Sequence, residues 1–302
     1  MKNNLILCFD IGGLGLKVSL YDLDMNEKFR TKFTYKLLEK KTIFDLIKNT
    51  YQEVGKDFDI TAIAISASGI IDAKNKLMYS LKDSNSKLIQ DDLHGYMKWC
   101  TIPWFIENDA NCALLAEKYF GAAQSKKNIC LITIGTALGG ALMINEKIYV
   151  GSHFMANEIG CGILDNNFTN FKNISVQTGM NGLVEEYNSV YNKNLEGIDI
   201  LKLAEKDSLS KEYQIVKSRL VKIAQVIINM YFTVDPELIL IGGGVSANSW
   251  YLEELKKTIK EIEAIVGVPI LAEIKSCQFQ NDAGKIGALA LYLDDKGIKT
   301  YE

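Results

Sequence analysis

Two stretches of this chain share one grammar, and that repeat constrains the fold more than any other feature. In the first, the apolar run "LILCF" enters the glycine-rich "DIGGLG", and "LKVSLYDLD" leaves with the alternation of a strand. In the second, "NICLI" enters "TIGTALGG", "ALMI" leaves, and "NEK" closes a further turn. Setting Asp10 against Thr133 and Gly12 against Gly135 aligns the two hairpins without gaps, which predicts two related halves. The residues after the glycines exclude two phosphate motifs. A dinucleotide fingerprint needs a helix there, and a P-loop needs G-x-x-x-x-G-K-[ST]; neither condition is met.

Between and beyond the hairpins, strands and helices alternate. A helix is predicted near Ile43 to Val54, a buried strand at "ITAIAISASG", a loop-rich stretch from Asp72 to Asp92, and a strand at "IPWFIE". The next segment, "ENDANCALLAE", starts a helix that Asn108 or Asp109 can cap and Gly121 can end. A long helix follows around Lys211 to Phe232, then the strand "ELILIGGG", then a last helix "AGKIGALALYL". Small residues at 283, 284, 287, 288 and 290 of that helix allow a close helix contact. Alternating β and α units with glycine turns at strand ends indicate an α/β fold with ligand sites at those turns.

Composition removes several partners. The 302 residues are 48% hydrophobic and carry a net charge of -3 from 34 basic and 37 acidic side chains, mixed along the chain. No basic footprint for nucleic acid or an anionic membrane exists in such a mixture. Six cysteines lie far apart without a C-x-x-C pair, and no signal peptide is evident, so they read as reduced thiols of a cytoplasmic protein. "LILCF" is far too short to span a bilayer.

In their order and separation, "DIGGLGLK", "ENDANCALLAE", "ITIGTALGG", "NEIG" and "ILIGGG" resemble the ROK family of repressors, open reading frames and sugar kinases. The resemblance implies a two-domain actin-like ATPase (ribonuclease-H-like) α/β fold with an interdomain cleft. Residues 1–109 would form one domain, completed by the helix 283–302, and residues 110–282 the other. Family repressors carry an added N-terminal DNA-binding domain, whereas nine residues precede Asp10 here; this favours the kinase branch over a regulator. The implied activity is transfer of the γ-phosphoryl of ATP to a hydroxyl, often the 6-OH, of a hexose, N-acetylhexosamine or β-glucoside, by a homodimer.

The same resemblance assigns roles. Asp109 accepts the proton of the attacking hydroxyl, where the residues alone favour a helix cap. Asn108, Ser68, Gly69 and Glu158 bind the sugar, with Ser66 in the same turn. Gly12, Gly13 and Gly15 of one hairpin and Gly135, Thr136, Gly139 and Gly140 of the other surround the phosphates, where glycines let backbone N–H groups approach. Gly242, Gly243 and Gly244 form the adenosine-side turn. Asp10 holds Mg²⁺ through water. Lys17 either reaches a phosphate or is solvated on its strand.

Departures from the family pattern qualify this. Leu14 stands where a threonine is usual, which opens a rival reading: a sugar- or nucleotide-binding protein whose phosphate site has weakened. Ala137 replaces a glycine, which demands a turn without positive φ; Ser68 replaces a proline and Asn157 a glycine. Cys161 stands where the family's zinc motif has its histidine and the motif's cysteines are missing, so no structural zinc is expected, as in a branch that includes β-glucoside and N-acetylmannosamine kinases. His153, a lone histidine, reads as a surface or packing residue.

Overall fold

The computed structural model describes residues 4–35, 39–82, 87–164 and 171–300, arranged as two compact units. The first comprises Met1–Ser125, Gly151–Met155 and Asn281–Glu302. Its chain runs through β1 (Leu5–Gly12), β2 (Gly15–Tyr21), β3 (Glu27–Thr34), α1 (Lys40–Val54) and β4 (Ile60–Ala67). There follow β5 (Ile70–Asp72), β6 (Leu77–Lys82), β7 (Lys87–Asp92), β8 (Trp104–Asn108) and α2 (Asp109–Phe120). The main sheet has the order β3-β2-β1-β4-β8, antiparallel up to β1 and parallel from there.

The second unit comprises Lys126–Val150 and Ala156–Gln280. It contains β9 (Ile129–Ile134), β10 (Leu138–Ile144), β11 (Lys147–Ile148), α3 (Ile174–Thr178), α4 (Met180–Tyr191), α5 (Gly197–Lys206) and α6 (Lys211–Val234). β12 (Leu238–Gly242), α7 (Ser249–Val266) and β13 (Glu273–Ser276) complete it, in a sheet ordered β11-β10-β9-β12-β13. Both sheets thus place an antiparallel meander beside two parallel strands, and the expected repeat exists at the level of topology. The gapless alignment slips past the turn: Ile11 pairs with Leu16 but Ile134 with Leu138, so the first hairpin is one residue longer.

The core of each sheet follows from strand periodicity. On one face of the first sheet Leu5, Leu7 and Phe9 join Leu16, Val18, Ile63 and Ile65 with Phe44 and Ile47 of α1, whose buried residues recur at helical spacing. The alternate residues Ile6, Cys8, Ala62 and Ala64 are buried as well, so β1 and β4 read as continuous apolar runs. The last helix, α8 (Ala283–Asp295), packs on β1, β4, β8 and α2. A Cβ on Gly287 would lie 2.0 Å from the Cys112 carbonyl oxygen, so the small residues of α8 permit the close helix contact anticipated from the sequence.

One expectation requires correction. The stretch from Asp72 to Asp92 is not loop but largely the three-stranded sheet β5-β6-β7. Its strands mix apolar and polar residues, and Ile71 and Met78 reach the first unit's core. The first compact unit runs on to Ser125, and α2 lies against α8 within it. No cysteine among the described residues forms a disulfide, and no described helix is long and apolar enough to cross a membrane.

Candidate active site

The turn from β8 into α2 is built by three consecutive polar residues. Glu107 is only 6% exposed, and its Oε1 accepts the Asn108 N–H at 2.6 Å and the Asn111 amide at 3.0 Å. Burial pushes the Glu107 carboxyl up from the usual range. Asn108 is the N-cap: its Oδ1 accepts from Ala110 N–H (2.8 Å) and Asn111 N–H (3.2 Å), while its Nδ2 donates to the Gly69 carbonyl (2.9 Å). One amide hydrogen of Asn108 remains beyond that bond. Asp109 is the first helical residue, with Oδ1 accepting from Ala110 N–H at 2.8 Å. Residue 109 keeps exposed surface, yet the protein around its carboxyl strips enough hydration to raise its pKa. The Ala110 N–H opposes this and the Asp10 charge adds to it. The cap reading of Asp109 therefore fails, because Asn108 supplies the cap.

Asp10 lies at the end of β1, where Lys17 is its antiparallel partner and Ser66 its parallel one. Partners across a ladder share a face. Lys17 Nζ pairs with Asp10 Oδ2 at 3.0 Å and donates to the Asn281 carbonyl at 2.8 Å, so it is neither freely solvated nor without a partner. The Ser66 hydroxyl, fully buried, donates to Asp10 Oδ1 at 3.4 Å, which places it with Asp10 rather than in a sugar-facing position. A Cβ on Gly284 would stand 2.4 Å from the Asp10 carboxylate, so the first turn of α8 is glycine because Asp10 lies against it. Ser68 and Gly69 are exposed at the end of β4, and Gly69 has φ +115°, a conformation that requires glycine.

The glycine turns divide by what a side chain would meet. Gly13, Gly135 and Gly244 have no atom within 4 Å of an added Cβ, and Gly12 only an ordinary contact. These leave room for a ligand. Gly15 faces the Phe33 carbonyl oxygen at 2.6 Å, Gly139 the Thr133 hydroxyl at 2.7 Å, and Gly140 the Asn157 amide at 2.7 Å, so packing alone demands these three. Gly243 combines φ +80° with the Ile134 carbonyl oxygen at 2.4 Å and opens the 3₁₀ turn Gly244–Ala247. Gly242 ends β12, where an added Cβ would lie 3.0 Å from Cys277 Sγ.

The Gly135–Ala137 turn is held from behind. Its Gly135 and Thr136 carbonyls accept from Met180 N–H (2.9 Å) and Asn181 N–H (3.2 Å), the first residues of α4. Thr136 and Ala137 are exposed, and Ala137 does not adopt positive φ, as the loss of glycine there demands. Asn157 has φ 62°, a left-handed conformation that asparagine tolerates, which explains how it replaces a glycine. Its Nδ2 donates to the Ala141 carbonyl at 2.9 Å. Glu158 follows, half-buried, its carbonyl accepting from Cys161 N–H at 3.0 Å. His153 and Cys161 are exposed. Part of the segment without zinc-motif cysteines, 165–170, lies outside the described residues. Among the described residues, no three His, Cys, Asp or Glu side chains gather as a metal site.

Sequence reasoning gave Glu107 no role, and gave Gly284 a helix contact but no place beside Asp10. The signal for Glu107 was a carboxylate ending an apolar strand; for Gly284, a helix start too small for its environment.

The chain is similar to known proteins over nearly its whole length. The model of the ROK family covers residues 6–295. A β-glucoside kinase of Listeria monocytogenes is 29% identical over 96% of this chain and 98% of its own length. A ROK family protein of Streptococcus pneumoniae solved with sucrose superposes with a TM-score of 0.84 at 22% identity, covering 97% of this chain and 99% of that one. A ROK family glucokinase of Streptomyces griseus, solved with glucose and AMPPNP, gives 0.80 at 22% identity, covering 95% and 99%. With a family model matching almost its entire length and the actin-like fold shared with those structures, the chain belongs to the ROK family.

Proposed function

We propose that this protein, a sugar kinase by family, transfers the γ-phosphoryl group of ATP to a sugar hydroxyl, the 6-OH of a hexose, N-acetylhexosamine or β-glucoside. The observation that carries this reading is Asp109: an accessible carboxylate at a strand-to-helix turn, relieved of capping by Asn108, with a raised pKa. The acceptor O–H donates to Asp109, its oxygen attacks the γ-phosphorus as the bond to the β-phosphate oxygen breaks, and the proton passes to Asp109. Phosphosugar and ADP result. Because the transition state is loose, positioning and charge neutralisation dominate.

Asn108, with its remaining amide hydrogen, Ser68, Gly69 and Glu158 are the proposed sugar contacts. Gly12, Gly13, Gly135, Thr136 and Gly244 are the proposed nucleotide contacts, chosen because open space surrounds the glycines and the Thr136 hydroxyl is exposed. Gly15, Gly139, Gly140 and Gly243 support them through packing. One carboxylate, Asp10, beside the Ser66 hydroxyl, fits an Mg²⁺ ion that keeps most of its water, and such an ion would neutralise phosphate charge. Lys17 would then exchange its Asp10 partner for phosphate oxygen.

The name of the Listeria relative puts β-glucosides first among acceptors to test. Coupled ADP release with Mg-ATP across hexoses, N-acetylhexosamines and phenolic β-glucosides, for wild type and Asp109→Asn, tests the reading. Acceptor-dependent turnover lost in the variant supports it; no turnover with any acceptor overturns it. One observation favours a weakened binding protein instead: Leu14, at the tip of the first hairpin, is 71% exposed and offers no hydroxyl. Under that reading Leu14→Thr creates or multiplies turnover.

A further inference from the structure

From the second unit we infer that Arg219 is a positioning residue for the phosphate-side turn, holding Gly135–Ala137 in shape through the α3–α4 junction. The inference rests on the kinase reading for its consequence, though not for its geometry.

Arg219 projects from α6, a 24-residue helix, and is 5% exposed. Its Nη1 donates to the Val176 carbonyl (3.3 Å) and the Gly179 carbonyl (3.4 Å), and its Nη2 pairs with Glu186 of α4 at 2.6 Å. One guanidinium thus joins the end of α3, the start of α4 and the second turn of α4. A planar fork with several donors can do this; a single ammonium cannot.

The junction in turn moulds the turn. Gly179 has no room for a side chain, since a Cβ would lie 2.6 Å from the Thr136 carbonyl oxygen and 3.0 Å from Ala137 Cα. Met180 and Asn181 N–H groups hold the Gly135 and Thr136 carbonyls. Ser175 Oγ accepts the Leu138 N–H at 3.1 Å, anchoring the far side of the same turn to α3. Gly182 is pressed to within 1.9 Å of the Val176 carbonyl oxygen and 3.2 Å of Arg219 Nη1, measured from an added Cβ, so α4 lies directly on the clamp.

Stability alone is a poor reason for such a residue. Burying an ion pair is seldom better than apolar packing, and among the described residues Arg219 Nε has no hydrogen-bond partner. The arrangement makes sense where a turn must keep its N–H groups directed at phosphate, since electrostatic preorganisation depends on fixed donors.

The test is Arg219→Lys in the full chain, with Glu186→Gln as a second, milder variant that keeps the guanidinium. Hydrogen exchange is read on the Met180 and Asn181 amides, with MgADP affinity and the Michaelis constants for ATP and acceptor alongside. We expect roughly tenfold faster exchange at the two amides, MgADP affinity and ATP KM each worsened about tenfold, and acceptor KM within about twofold, as for loss of one or two charge-assisted bonds. Glu186→Gln should give a smaller change of the same kind. Unchanged exchange at 180 and 181, or equal changes in both Michaelis constants, would overturn the inference. If Arg219→Lys fails to fold, the Glu186→Gln readings decide on the same criteria. Faster exchange in a protein whose wild type neither binds nucleotide nor turns over would leave the clamp standing and sink the kinase reading instead.

Discussion

At the residue scale the site depends on a division of labour between neighbours. Asn108 satisfies the helix terminus, Glu107 fixes the backbone entering it, and Asp109 is left available for the base role proposed for it. Asp109→Asn should lower kcat by about 10²–10⁴-fold, the usual contribution of a positioned base, with acceptor binding by calorimetry nearly unchanged. Loss of binding in step with turnover would instead make residue 109 a sugar ligand. The raised pKa has a definite consequence for pH. The proposed base works as the carboxylate, so activity should be lost as pH falls through its pKa, and the acid limb of kcat/KM should lie above the ordinary aspartate value of about 3.9. An acid limb at or below that value would refute the desolvation argument. Asn108→Ala should cost about 1 kcal/mol of stability through loss of the cap and should also weaken acceptor binding, by release of Gly69. Asn108→Asp keeps the cap oxygen and loses the bond to Gly69, so thermal melts of the two variants separate the effects.

At the element scale the site is positioned by glycines in helices and strands. α2 carries Asp109 and is seated on α8 where Gly287 meets the Cys112 carbonyl. Gly287→Ala forces a methyl into that contact, and overpacking of this kind costs about 1–3 kcal/mol. The urea midpoint should fall accordingly, with kcat falling further than stability alone explains because the start of α2 moves with the helix. A variant as stable and active as wild type would show that α8 does not set the position of α2. The small sheet β5-β6-β7 illustrates the opposite dependence. Its sequence carries no strong strand signal, and it exists because Ile71 and Met78 join a core built by distant segments. For that reason it was illegible beforehand, whereas β1, β4, β9 and β12, continuous apolar runs ending in glycine or small polar residues, were plain.

At the scale of the whole molecule, chain order and structural unit do not coincide. The first unit is closed by the last helix, in which Ile286, Leu289 and Leu293 are buried. Burying three such side chains is worth about 5–9 kcal/mol, comparable with the whole stability of a typical domain, about 5–15 kcal/mol. Removing residues 281–302 should therefore unfold the first unit while the second keeps its own core. Limited proteolysis of the truncated chain should spare a fragment near 126–280. Equal protection of both units would contradict this account of α8.

The sequence by itself determined the repeated hairpin and the α/β class, because local periodicity and turn chemistry are written in adjacent residues, and its ordered motifs pointed to the family; Asp10, Asp109 and Glu158 were expected as site residues from that resemblance. It could not separate glycines that leave space from those that packing demands, since Gly13 and Gly15 differ only in whether Phe33 lies opposite. It could not choose between Asn108 and Asp109 as the cap, nor show that Lys17 pairs with Asp10. Those outcomes depend on which strand or helix stands across from a residue, and only tertiary structure brings such partners together.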